Sequence, residues 1–364
     1  MGVIEIGELL DHGVVRRRVK IRYEGSEDFY FESAVSPGLA DAHAHPQVVD
    51  VGERRMWRHS YEWLEGRRLR VDEAGLRRDK ELSSMLAKAT ILRSLVDGVT
   101  LLALTGSLEG NVSALLTLPV SPRVVLLPTV MEAEGWSTPE RVFAEYVRNL
   151  AKWDGFFNMG FFVHSLRKAG QSYLLASYKT ASKLGVPFAL HLSEGIDESE
   201  TLVELLGDAP RNVIAVHCIE GAEKCKRMGL RVVHCPTSNL YLYGRTLRGL
   251  EFFDSLGSDW PLVTGTVLRT YRDAVAVHGP SVRLLEKATV GGYAVFGMRG
   301  SGDLVAFDRS LEKVIAGEAE ARAVFIDGKL VMDEGTVVQM GLGKRDVERF
   351  KEEAVRLAFE KYGV

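Results

Sequence analysis

The chain alternates short apolar runs with longer stretches of helical period, and it does so eight times over. The runs are "AVSPGLADAH" (34–43), "GVTLLALTG" (from 98), "RVVLLPTV" (from 123), "GFFVHS" (from 160), "VPFALHL" (from 186), "NVIAVHC" (from 212), "RVVHCP" (from 231) and "SLGSDWP" (from 255). Between them lie stretches such as "LRRDKELSSMLAKATILRSLVDG" and "QSYLLASYKTASKLG", each closing near a glycine as helices tend to. Repeated strand–helix units of this kind build a parallel sheet. Eight of them predict an α/β fold, a closed (β/α)8 TIM barrel over residues 36–299. An open doubly wound sheet would place a Gly-rich phosphate turn after its first strand, where this chain has "DAHAHPQ".

The flanks break the pattern. Residues 16–35 alternate like strands, as do "GDLVAFD" (302–308) and "ARAVFIDGKLVMDEGTVV" (321–338), the latter with an Asp-Gly hairpin signal. They predict a small β-sandwich-like domain assembled from residues 1–35 and 300–342, followed by an amphipathic helix over 343–364. Between the first two barrel strands lie nearly sixty residues, including "GERRMWRHSYEWLEGRRLR" (52–70), which is too much for a simple connection and predicts that part of it forms a lid.

Composition removes several function classes. The 364 residues are 46% hydrophobic and carry a net charge of −3, which describes an ordinary globular protein and argues against a dedicated nucleic-acid binder. The N-terminus shows no leader pattern, and no run approaches the roughly 20 apolar residues of a membrane helix, so the expected setting is cytoplasmic. The three cysteines are too few for a disulfide scaffold and fit no zinc-ribbon spacing. Arg outnumbers Lys 31 to 15 while Asn and Gln total only eight, a shortage of labile amides that matches a thermophilic source.

The histidines carry the chemistry. His43 and His45 lie two apart in an extended run, so their imidazoles share a face, as two ligands of one divalent metal must. Six of the nine histidines, at 43, 45, 164, 191, 217 and 234, fall at or just beyond the ends of proposed strands; only His12, His59 and His278 do not. Barrel enzymes build their active sites at that end of the strands. Ring closure brings Asp259, on the last strand, against His43 and His45 on the first. With His191 they make a mixed nitrogen and oxygen set that leaves room for water, and Glu194, three residues beyond His191, can turn back toward that water.

In order and spacing, "SPGLADAHAHP", "HLSEG", "VHC", "HCPTSN" and "GSDW" resemble the amidohydrolase superfamily, in its cytosine deaminase and chlorohydrolase-like branch. "GSGDLVAFD" resembles the strand with which that family's C-terminal β domain resumes. The resemblance implies one divalent metal ion, Zn2+ first and Fe2+ or Mn2+ as alternatives, held by His43, His45, His191 and Asp259. It implies catalytic roles for Glu194, His217 and Asp259 in moving protons between water and substrate. "VHSLR" (163–167) is similar to a stretch of formiminoglutamate deiminases in which the arginine holds a substrate carboxylate, which makes Arg167 a substrate-binding candidate. His164, Asn239 and Trp260 are the other expected pocket residues.

Hydrolytic deamination of a heterocycle or imine is the expected reaction, on a small-molecule substrate with no nucleic acid or membrane partner; a homo-oligomer is compatible with it. The rival readings are hydrolysis of a cyclic amide, as imidazolonepropionases perform, a two-metal hydrolase bridged by Lys168, and a silent binding protein. The last would be expected to lose ligands, and this chain keeps them.

Overall fold

A computed structural model of the chain describes residues 2–11, 13–150, 156–207 and 212–364, so His12 lies outside the described residues. Eight parallel strands run in chain order around a ring. They are Leu39–Ala44, Val99–Leu104, Arg123–Leu126 continuing in Thr129–Val130, Phe157–Met159 continuing in Phe161–Val163, Phe188–Leu192, Val213–His217, Arg231–His234 and Ser255–Leu256. The third strand breaks at Pro128, which has no N–H to give its neighbour. The fourth breaks at Gly160, where a Cβ would meet the Pro187 carbonyl oxygen at 2.3 Å.

The ring closes at its mouth. Ala44 bridges Asp259 in parallel register; His45 N–H donates to the Asp259 carbonyl at 2.6 Å, and Asp259 N–H donates to that of His43 at 2.8 Å. Ala40, Ala42, Leu101, Ala103, Val125, Leu127, Phe162, Ala189, Ile214, Val216 and Val233 fill the interior. The opposite faces of the same strands, Leu102, Leu104, Val124, Leu190 and Ala215 among them, meet the surrounding helices.

Segments from both ends of the chain join in one eight-stranded sheet, ordered Leu342–Gly343, Thr336–Val337, Lys329–Asp333, Ala321–Ile326, Leu304–Phe307, Phe29–Pro37, Gly2–Asp11, Val14–Tyr23. Phe29–Pro37 runs two residues past the proposed boundary at 35, and Gly38 separates it from the first barrel strand. The edge strand Val14–Tyr23 presents exposed Arg16, Arg17, Arg18, Lys20 and Arg22, which discourage pairing with another sheet.

Arg123, at the start of the third barrel strand, ties the two parts together. It donates from Nε and Nη2 to the buried Asp303 carboxylate at 2.6 and 3.1 Å, and Tyr293 Oη and the Asp327 N–H donate to the same carboxylate at 2.6 and 2.8 Å. The terminal helix Lys344–Tyr362 buries Ala354 and Ala358 against Leu82, Leu86 and Ala89 of the helix Lys80–Val96. Within the 52–70 segment a short helix, Ser60–Gly66, is fixed by Trp57 and Trp63, which pack with Leu242, Tyr243 and Trp260 at the barrel mouth. Among the described residues no helix is long and apolar enough to cross a membrane.

Candidate active site

The pairing between the first and second strands shifts register between Asp41 and Ala44, and there the chain delivers His43 and His45 to the mouth with their rings 4.6 Å apart, edge to face. His191 comes from the fifth strand, its Nε2 3.2 Å from that of His45 and 3.3 Å from that of His43. Asp259 Oδ1 lies 3.4 Å from His43 Nε2 and 3.6 Å from His45 Nε2. One donor atom from each of the four falls within 4.8 Å of every other.

Burial lowers the pKa of all three imidazoles, so they stand neutral. Burial works to raise that of Asp259, but the hydrogen bond to His43 and the electrostatic pull of the His217, His43 and His45 rings outweigh it and hold the carboxyl well below its ordinary range. Three imidazole nitrogens and one carboxylate oxygen converge at these separations, a donor set that a divalent cation would satisfy together. The residues therefore fit zinc. Thr105 Oγ1 fixes the His45 ring through Nδ1 at 2.8 Å, as the outer partner of a ligand does.

Glu194 and His217 stand beside this cluster. Glu194 Oε1 is 3.8 Å from His217 Nε2 and accepts a hydrogen bond from Tyr243 Oη at 2.7 Å. Burial raises the Glu194 pKa, opposed by His217 and reinforced by the Asp259 charge. His217 Nδ1 donates to Asn239 Oδ1 at 2.9 Å, which turns Nε2 toward Glu194 and, at 4.0 Å, Asp259 Oδ2. Ser193 (φ +54°), His217 (φ +77°), Cys218 (φ +42°) and Asp259 (φ +64°) all hold left-handed backbone at the strand ends, a conformation that costs energy for residues other than glycine and gathers at functional sites.

A pocket opens over the cluster, lined by His45, His164, His191, Glu194, His217, Asp259 and Trp260, with Ser60, Trp63, Arg67, Glu73, Arg77 and Trp136 on its remaining walls. Two expected pocket residues stand elsewhere. Arg167 is 57% exposed, stacked over Tyr61 at 4.6 Å and 3.8 Å from Glu198, so its charge is directed outside the pocket. Asn239 sits behind His217, bonded to its Nδ1, and does not line the pocket. Lys168 faces Glu65 at 3.5 Å and does not approach the metal donors. His234 turns into the helix layer, its Nε2 3.3 Å from that of His278.

Sequence reasoning missed Tyr243, Asp41, Arg67, Glu73, Arg77 and Trp136. Asp41 accepts the Ser258 N–H at 2.9 Å beneath the metal donors, and burial raises its pKa to about 7. Its position two residues before His43 was the available signal. Arg67 lay in the 52–70 stretch read as a lid without being singled out, and Glu73 and Arg77 follow it in a charged stretch that reads as solvated surface.

Residues 34–331 match the sequence profile of the amidohydrolase family. A 5-methylthioadenosine/S-adenosylhomocysteine deaminase from Desulfitobacterium hafniense (strain Y51) is 22% identical over 376 residues, covering 87% of this chain and 85% of that protein. A protein of the same name from Nitratidesulfovibrio vulgaris is 24% identical over 315 residues, covering 76% of this chain and 69% of its own. Among solved structures, an adenosine deaminase from Xanthomonas campestris with bound zinc has a TM-score of 0.78 at 17% identity, over 98% of both chains. The atrazine chlorohydrolase of Arthrobacter aurescens TC1 complexed with zinc has a TM-score of 0.79 at 15% identity, over 98% of this chain and 100% of its own. At these identities the likeness carries the fold.

Proposed function

The chain belongs to the amidohydrolase family, and from that premise we propose that it is a metal-dependent hydrolase of carbon–nitrogen bonds that deaminates an amino-substituted heterocycle. The observation that carries this reading is the meeting of His43, His45, His191 and Asp259 within 4.8 Å, with Glu194 and His217 at their side. In this reading those four hold one divalent cation, zinc first. When bound, the cation supplies Lewis acidity, which brings the pKa of a water down toward neutrality.

The remaining chemistry belongs to side chains. Asp259, kept ionised, takes a proton from the attacking water at the carboxylate oxygen turned toward His217. Glu194, whose raised pKa keeps it protonated closer to neutral pH, gives its proton to the ring nitrogen of the heterocycle. His217, held by Asn239, accepts or returns a proton at Nε2 and fixes the direction of attack. Trp260, Trp63 and Val48 line the pocket beside them and limit the water that can compete. Asp259 then passes the proton it took on to the exocyclic amine while the new hydroxyl returns one to Glu194, and the C–N bond breaks as the tetrahedral carbon collapses to the carbonyl, releasing ammonia.

The test is ammonia release with added zinc from purines, pyrimidines, their nucleosides, 5-methylthioadenosine, S-adenosylhomocysteine and iminated amino acids. Release from one of these establishes the reaction. Ring opening of a cyclic amide without ammonia would replace deamination by the cyclic-amide reaction, and a protein that takes up no transition metal would remove the basis of both.

A further inference from the structure

One wall of the pocket is built from charge. Arg67 Nη2 donates to Glu73 Oε2 at 2.8 Å, and Arg77 Nη2 lies 2.9 Å from the same oxygen. The three side chains are 13%, 16% and 6% exposed in the order Arg67, Glu73, Arg77, so two guanidiniums share one carboxylate out of water. Asp72, one residue before Glu73, is exposed and spends its carboxylate on the N–H groups of Ala74 and Gly75. The wall therefore carries one positive charge in excess. A buried charge without a partner is costly, and a ligand that supplies the counter-charge recovers that cost on binding.

The two cations are also held for recognition. Arg67 lies over the Trp63 ring at 4.4 Å and Arg77 over the Trp136 ring at 3.7 Å, so indoles cover their faces and their N–H donors are confined to the guanidinium edges. A guanidinium edge matches a carboxylate, as each already demonstrates on Glu73. His164 connects this wall to the metal donors, its ring 5.2 Å from His191 and 6.0 Å from Trp136.

We propose that Arg67 and Arg77 form a carboxylate subsite across His164 from the metal donors, so that the heterocycle deaminated here carries a carboxylate substituent on the side away from the reacting carbon. This rests on the hydrolase reading for the reaction but on the arginines alone for the subsite. Glu73 acts as the internal stand-in for that carboxylate and shares the arginines with it.

The experiment titrates zinc-loaded and chelator-treated protein with benzoate, benzamide and benzamidinium, three probes of one size and different charge, following tryptophan fluorescence at Trp63 and Trp136. Benzoate is expected to bind at least about tenfold tighter than benzamide in both preparations, with benzamidinium weakest. Arg67→Met and Arg77→Met should each remove most of that preference. Glu73→Gln should increase it, because both guanidiniums lose their competing anion; a merely structural ion cluster would give no gain, and this variant decides the matter if the arginine variants fail to fold. Equal binding of benzoate and benzamide, or a benzoate preference untouched by Glu73→Gln and by any arginine variant that folds, overturns the subsite. Ammonia release from neutral heterocycles without a benzoate preference sinks the subsite and leaves the hydrolase standing. A benzoate preference in a protein that takes up no metal does the reverse.

Discussion

Tyr243 donates its hydroxyl hydrogen to Glu194 Oε1 at 2.7 Å, with both side chains buried at the barrel mouth. That bond favours the ionised form of Glu194 against the burial that raises its pKa. Removing it in Tyr243→Phe should raise that pKa further. Because the proposed role of Glu194 needs its proton, the alkaline fall in kcat/KM should move to higher pH, and a limb that stayed in place or moved down would contradict the role.

Glu194→Gln keeps the shape of the side chain and removes the proton it passes. Zinc content and melting temperature should remain near those of the parent, since Glu194 is not among the four metal donors. General acid–base assistance is worth about 10²- to 10⁴-fold, so kcat should fall at least about a hundredfold with substrate affinity little changed. Near-parental turnover would move the proton path to Asp259 or His217.

His191→Ala tests the neighbouring role. It removes the nitrogen that meets both His43 and His45, so zinc retained after dialysis, read by elemental analysis, should fall from about one per chain toward zero, and the rise in melting temperature on adding zinc should vanish with it. Stoichiometric zinc in this variant would place the metal elsewhere.

Burial, followed by the charges of Arg67 and Arg77, brings the pKa of His164 down to about 3 from 6.5. The native ring stays neutral while the unfolded one takes a proton, so stability is lost progressively as pH falls from about 6.5 toward 3 and is unaffected above that window. In His164→Gln, the drop in the urea midpoint between pH 7 and pH 4.5 should be smaller than in the parent. An equal drop would remove His164 as a contributor.

Asp303 carries the join between sheet and barrel. Asp303→Asn leaves the buried Arg123 with only the exposed Asp327 carboxylate, 3.1 Å from Nη2, as an ionic partner, and breaking a buried pair costs up to about 3–5 kcal/mol. Chemical denaturation should show a loss approaching that order, and a change below about 1 kcal/mol would mean that Asp327 alone suffices to hold Arg123.

Much of this was legible in sequence because it rests on period and order. The barrel strands announce themselves as apolar runs, and His43, His45, His191 and Asp259 stand where those runs end. Ser255–Leu256 is too short to carry a strand signal of its own; "GSDW" marked it instead. Of the pocket wall, the lid that carries Arg67 was expected but its pairing with Glu73 and Arg77 was not legible, since charged residues flanking short helices look the same whether water or a ligand will meet them. His234 illustrates the converse. It ends its strand as His217 does, but His217 has left-handed backbone, which no pattern in the sequence records, and His234 points to the helices.

The sheet that accepts strands from both chain ends has a consequence in time. Phe29–Pro37 lies between Gly2–Asp11 and Leu304–Phe307, and the second of these neighbours is made 267 residues after Pro37 (304 minus 37). At roughly 5–20 residues per second a ribosome takes about 15–50 s to supply it. Through that interval the early strands have only one another to pair with, and the side of Phe29–Pro37 that Leu304–Phe307 will cover stays open. The polypeptide completes its first sheet almost last.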